Sequence, residues 1–149
     1  MRVVLQRVSE ASVKVDEEIV GQINHGFVAL VGIGHGDDEK IIEWMADKTV
    51  QLRVFEDDAG KMNRSLADVS GGVLAISQFT LYGDCRKGRR PAFTAAAAPE
   101  VAKQLYEHYV NAIGKHGIEV QTGIFAADMK VSLINDGPVT MLLDREADA

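Results

Sequence analysis

The chain of 149 residues carries one cysteine, Cys85, and no apolar run approaching the length of a membrane span. A lone thiol has no partner for an internal disulfide and no second cysteine with which to build a zinc site, which fits a reducing compartment. The N-terminus MRVVLQRVSEASVKV alternates like a strand and lacks the apolar block of a signal peptide, so a cytoplasmic location is expected. Basic residues are in deficit, 16 Lys and Arg against 22 Asp and Glu, for a net charge of −6. Taken alone, that balance argues against a nucleic-acid partner. Familiar catalytic kits are missing too. His25, His35, His108 and His116 show no HExxH spacing and no pairing with cysteine, so no metal is expected. There is no GxSxG elbow, and Cys85 has no nearby histidine to make it a nucleophile. Gly32-Ile33-Gly34-His35-Gly36 opens like a dinucleotide loop, but its third glycine is replaced by Asp37. Asp37, Asp38 and Glu39 would set negative charge where a pyrophosphate must sit.

What is present is a chain able to bury one substantial core, with 46% hydrophobic residues and a length that predicts a single domain over 1–149. Strands are expected at Arg2 to Val8, Ser12 to Val15 and Ile19 to Ile23. A continuous apolar strand, covered on both faces, is expected at Phe27 to Ile33. Asp37 reads as the N-cap of a helix from Asp38 to about Leu52, with Ile41, Met45 and Leu52 near one face and Trp44 widening it. A second helix begins at Pro99, with Val101, Leu105, Tyr109 and Ile113 on one stripe, and ends by Gly114 to Gly117. Between the helices come a turn at Asp57 to Gly60 and a strand from Val73 to Leu81. Strands near Ile118 to Thr122, Met129 to Ile134 and Val139 to Leu143 follow the second helix. Strands in runs with two helices predict an α+β fold, a curved and partly barrel-like sheet system with helices packed outside. Ala95 to Ala98 is too short a run to read.

Charge is unevenly placed. Arg86, Lys87, Arg89 and Arg90 crowd around Gly88, while acidic residues thicken at the tail with Asp144, Glu146 and Asp148. Two segments carry more polar groups than packing asks for. Ser77-Gln78-Phe79-Thr80-Leu81-Tyr82 adds three hydrogen-bonding side chains in its first four positions to an apolar strand. Asn135-Asp136-Gly137-Pro138-Val139-Thr140 reads as a tight turn between two strands.

Together with Gln6-Arg7-Val8, Leu52-Arg53-Val54-Phe55, Gly60-Lys61-Met62-Asn63, Lys87-Gly88-Arg89-Arg90-Pro91 and Gly123-Ile124-Phe125-Ala126-Ala127-Asp128-Met129, these segments resemble the D-aminoacyl-tRNA deacylase family from end to end. The resemblance implies a cytoplasmic homodimer that hydrolyses the ester between a D-amino acid, or glycine, and tRNA, without a cofactor. It places Ser77, Gln78, Phe79 and Thr80 in the catalytic pocket. Gly137 and Pro138 of the partner subunit would give chiral selectivity by exclusion, with Arg7, Phe125 and Met129 in support. Arg86, Lys87, Arg89 and Arg90 would meet tRNA phosphates. Thr80 has no base beside it in sequence and reads as a positioning group. The alternatives are a sister deacylase that removes a small L-amino acid, and a non-catalytic RNA-binding module.

Overall fold

The computed structural model describes residues 1–147; Asp148, counted above with the acidic tail, lies outside the described residues. Strands β1 (Arg2–Val15), β2 (Glu18–Ile23) and β3 (Gly26–Gly32) lead into helix α1 (Glu39–Gln51) and a short hairpin of β4 (Phe55–Glu56) and β5 (Met62–Arg64). Next come β6 (Gly72–Ser77), a 3-10 turn over Phe79–Tyr82, helix α2 (Pro99–Gly114), β7 (Val120–Thr122) and β8 (Lys130–Asp144). The main sheet runs β2-β1-β3-β6-β7, with β8 on the other side of β1; β3 with β6 and β6 with β7 are parallel, and the remaining pairs are antiparallel. The sheet curls until β2 approaches β7. A methyl group on Gly21 would lie 2.6 Å from the Thr122 carbonyl oxygen, so the near-closure of the barrel depends on a residue without one. The fold is the expected α+β arrangement.

Strand alternation builds two cores. Phe27, Ala29 and Val31 of β3 and Val73 and Ala75 of β6 face the helices, while Val28, Leu74 and Ile76 face the barrel interior. On β1, Val3 and Leu5 point to the helices, yet Ala11 and Val13, of the same parity, point to the interior with Val8. The register irregularity between Val8 and Glu10 accounts for the switch, since one slipped position turns every later side chain to the other face. Between the helices, Thr49 donates to the Met45 carbonyl at 2.8 Å. It therefore accepts the buried Tyr109 hydroxyl, also at 2.8 Å.

Several boundaries differ from expectation. β1 is one strand through Ser9 and Glu10, because β8 pairs beside it at Glu10↔Ile134. Asp38 is the N-cap of α1, accepting from the Ile41 amide at 3.0 Å, while Asp37 is drawn to the amino terminus at 2.7 Å. The buried face of α2 is Ala102, Tyr106, Tyr109 and Ile113; Val101 is exposed, one step off the stripe. The expected strand Val73 to Leu81 stops at Ser77 and winds into the 3-10 turn, whose residues seat against β3. The segment Asn135 to Thr140 does not reverse the chain. Both of its flanks pair with β1, Val8↔Asn135 and Gln6↔Thr140, so it is a wide bulge in β8.

Candidate active site

β6 ends at Ser77, in register with Val31 of β3. The Gln78 amide donates to the Val31 carbonyl at 2.7 Å, and the chain then tightens into the turn closed by Leu81 N–H to Gln78 C=O at 3.2 Å. The amides of Phe79 and Thr80 thus stand at the start of a turn, where the first N–H groups have no partner within it. Ser77 and Gln78 are half-buried, and Phe79 and Thr80 are exposed. Gln78 Nε2 donates to the Thr80 hydroxyl, and the Phe79 ring meets Phe93 edge-on at 5.2 Å between centroids.

Ser77, Gln78 and Phe79 line a cavity of about 670 Å³. Phe125 and Met129, predicted as supporting residues, line it; Thr80 does not. The floor includes Val31, Ile33, Ile76 and Tyr106, whose hydroxyl donates to the Ala75 carbonyl at 2.7 Å. Burial pushes the Tyr106 phenol well above its usual range, so it stays neutral in the wall. A further wall is Ala96 to Pro99, held by Ala97 N–H to Ile33 C=O at 3.0 Å and His35 N–H to Ala95 C=O at 3.1 Å. The alanine run that carried no meaning in sequence is therefore a wall whose short side chains leave the cavity open. Its signal was a stretch of small residues just ahead of a helix start, which a reading for motifs passes over. Besides Tyr106, the titratable side chains His35 and Asp128 line the cavity. The Asp128 carboxylate is exposed and engaged by Lys130 at 3.1 Å.

Gly137 and Pro138 lie elsewhere. Both are exposed on the β8 bulge, joined by a cis peptide bond, with Gly137 at φ 132°. The Asn135 side chain ties the bulge, accepting from Val139 N–H at 2.8 Å and donating to the Thr140 hydroxyl at 3.1 Å. Arg7 is buried behind it. Its Nε donates to the Asp136 carbonyl at 2.9 Å and one terminal nitrogen to the Val54 carbonyl at 2.7 Å, with Glu56 at 3.7 Å. The bulge sits opposite Arg7 of β1, whereas Ser77 lies at the level of Val3, four residues away along β1. That offset is roughly 13 Å along the strand direction. One chain does not bring the two predicted segments together.

In the basic loop, Arg86 is engaged by Asp84 through two contacts of 2.9 and 2.7 Å, which hold the Asp84 carboxyl down at about 2. Lys87, Arg89 and Arg90 are exposed. Among the described residues no group of three His, Cys, Asp or Glu is placed to hold a metal ion. No described helix is long and apolar enough to cross a membrane.

This chain and this fold have counterparts. A family model described as D-Tyr-tRNA(Tyr) deacylase matches residues 4–144, and the chain belongs to that family. Among individual relatives, D-aminoacyl-tRNA deacylase of Desulfotalea psychrophila is 60% identical over 146 residues, covering 98% of each chain. That of Rhodopirellula baltica is 62% identical over 144 residues, covering 97% of this chain and 99% of the other. Of solved structures, one described as c-Myc DNA Unwinding Element Binding Protein superposes with a TM-score of 0.92 at 38% identity, covering 99% of this chain and 100% of the other. A second, described as "a probable eukaryotic D-amino acid tRNA deacylase", gives a TM-score of 0.84 at 17% identity, over 97% and 98% of the two chains, and shows the fold alone.

Proposed function

We propose that this protein hydrolyses the ester linking a D-amino acid, or glycine, to the terminal ribose of a tRNA, in a site completed by a second copy of the chain. The observation that carries this reading is the cavity lined by Ser77, Gln78 and Phe79, where the 3-10 turn begins. The start of such a turn presents N–H groups to the place where a tetrahedral oxyanion develops; one backbone donor there is worth about 3 kcal/mol. Thr80 is held by Gln78 and has no base against it among the described hydrogen bonds, so it positions. The ribose hydroxyl beside the ester activates the water. Ser77 and Gln78 shape the adenosine end, with Phe125 and Met129 packing beside it.

The Gly137 and Pro138 carbonyls of the partner subunit enter that cavity, contact the α-amino region and leave no room for an L side chain. A site that excludes without gripping tolerates many D side chains and cannot exclude glycine. Two observations support the homodimer. The bulge is remote from the cavity of its own chain, and among the described residues β8 pairs only with β1 while exposing Ile134 and Leu142, the latter 77% exposed. Lys87, Arg89 and Arg90 are free to meet tRNA phosphates without reading bases. The enzyme would act in the cytoplasm and need no cofactor.

The test is ester loss from matched D-tyrosyl-, L-tyrosyl- and L-alanyl-tRNA. Rapid cleavage of the first alone is expected. Preference for L-alanyl-tRNA would assign the chain to the sister activity, and cleavage of none would leave an RNA-binding module.

A further inference from the structure

The glycine segment Gly32-Ile33-Gly34 and the acid that follows it have no role in the chemistry described so far, yet they sit behind it. The Asp37 side chain is 2% exposed. One of its carboxylate oxygens accepts from the ammonium group of Met1 at 2.7 Å, and the other accepts from the Gly34 amide, also at 2.7 Å. The same ammonium donates to the Arg145 carbonyl at 2.7 Å, and the Arg145 amide returns a bond to the Met1 carbonyl at 3.0 Å. Asp37 therefore pins the end of β3 to both ends of the described chain.

That strand end is the seat of the turn. A methyl group on Gly34 would lie 2.7 Å from Cζ and Oη of Tyr82. One on Gly32 would lie 3.1 Å from Leu81 Cβ and 3.2 Å from the Gln78 carbonyl oxygen. The turn that carries the Phe79 amide thus rests directly on Gly32 and Gly34. On its other side the same segment holds the cavity wall, through Gly34↔Ala96 pairing and the Ile33 bond to Ala97. A shift of Gly34 moves the amide-bearing turn and the Ala96–Ala97 wall together.

We infer that Asp37 is a positioning residue for the reaction: its carboxylate, neutralised by the Met1 ammonium, fixes Gly34 so that the Phe79–Tyr82 turn and the Ala96–Ala97 wall keep their separation. The inference rests on the reading of this cavity as the substrate site. A 1 Å misplacement remote from the chemistry can cost about a hundredfold in rate, so the effect falls on kcat more than on KM.

The experiment compares wild type, Asp37→Asn, and wild type acetylated at its α-amino group. Each is assayed for kcat and KM on D-tyrosyl-tRNA and for hydrogen exchange at the Leu81 and Gly83 amides, which close the turn. Asn keeps an acceptor for Gly34 but loses the charge; acetylation keeps Asp37 and removes the ammonium. In both altered forms kcat is expected to fall roughly tenfold with KM changed by less than about twofold, and exchange at Leu81 and Gly83 to quicken relative to Ala29 in central β3. Should Asp37→Asn not fold, the acetylated protein decides the matter by the same readouts. Unchanged kcat in folded protein, or turn exchange that follows Ala29, overturns the inference. Inactive wild type would instead overturn the substrate reading, and the exchange result would still report whether Asp37 holds the turn.

Discussion

Arg7 and Asp136 are joined by a 2.9 Å hydrogen bond from a guanidinium nitrogen to a main-chain carbonyl, and the guanidinium that makes it is 5% exposed at the residue level. A second fork nitrogen reaches Val54, so one side chain clamps the β8 bulge to the segment entering β4. A lysine ammonium is a point charge on a flexible stem and cannot serve both acceptors with the same geometry. Arg7→Lys is expected to lose about 1.5–3 kcal/mol of stability, the worth of a charge-assisted bond, measured by denaturant unfolding. Its discrimination between D- and L-tyrosyl-tRNA should fall at a temperature where it is fully folded. A variant with wild-type discrimination would detach the clamp from selectivity.

Gly137 has no room for a side chain. An added methyl would lie 2.7 Å from Val139 Cγ2 and 3.0 Å from Arg7, at a φ of 132° that L-residues seldom adopt. Gly137→Ala should cost about 1–3 kcal/mol through backbone strain, and should lower kcat/KM on D-tyrosyl-tRNA by more than the folded fraction explains.

Gly34 and Gly36 offer a paired comparison. Gly34→Ala drives a methyl into the Tyr82 ring and should lose about 1–3 kcal/mol together with activity. Gly36→Ala meets open space and pays only for its φ of 83°, about 1 kcal/mol, with activity retained. Thermal unfolding and initial rates measured side by side would separate them.

Neither Thr80 nor His35 or Asp128 on the cavity wall is required as a base. Thr80→Ala, His35→Ala and Asp128→Asn should each stay within about tenfold of wild type, the low end of what a general base contributes being a hundredfold. A thousandfold loss in any one, with the fold intact by circular dichroism, would return a side-chain base or a covalent mechanism to consideration.

The basic loop should divide by charge already spent. Asp84 is held far below the ordinary carboxylate range, chiefly by the Arg86 side chain and then by the Arg86 amide. Because the folded value is the lower one, the pairing is present above the ordinary carboxylate pKa and is lost as pH falls toward about 2. At neutral pH the Asp84 carboxylate is therefore ionised and paired with Arg86, whose charge is already partly offset. Arg86→Ala should leave tRNA affinity nearly unchanged, whereas Arg89→Ala or Arg90→Ala should reduce the salt slope of binding by about one each.

Much of this was legible in the sequence for identifiable reasons. Phe27 to Ile33 announced a doubly covered strand because its apolar run is continuous. Pro99 marked the start of α2 because only a first turn tolerates its missing N–H. Composition could not tell a bulge from a turn at Asn135 to Thr140, since both use Asn, Gly and Pro, and only pairing with β1 on both flanks decides. Ser77 to Tyr82 alternates well enough to pass for a strand, and it leaves the sheet because Gly32 and Gly34, distant in sequence, make a seat for it. Asp37 and Asp38 are indistinguishable as caps until the Met1 ammonium claims the first. The Ala96 to Ala98 wall is signalled only by small residues ahead of a helix start, a pattern shared by many loops that line nothing.

The account turns on a site built from two chains, and mixing two inactive variants tests that most directly. One variant fills the cavity, Ala96→Trp; the other spoils the bulge, Gly137→Val. Unfolded together and refolded, they should recover about one quarter of wild-type activity on D-tyrosyl-tRNA, because half the dimers are mixed and each mixed dimer holds one intact site. Failure to recover activity from folded, mixed dimers would contradict the account.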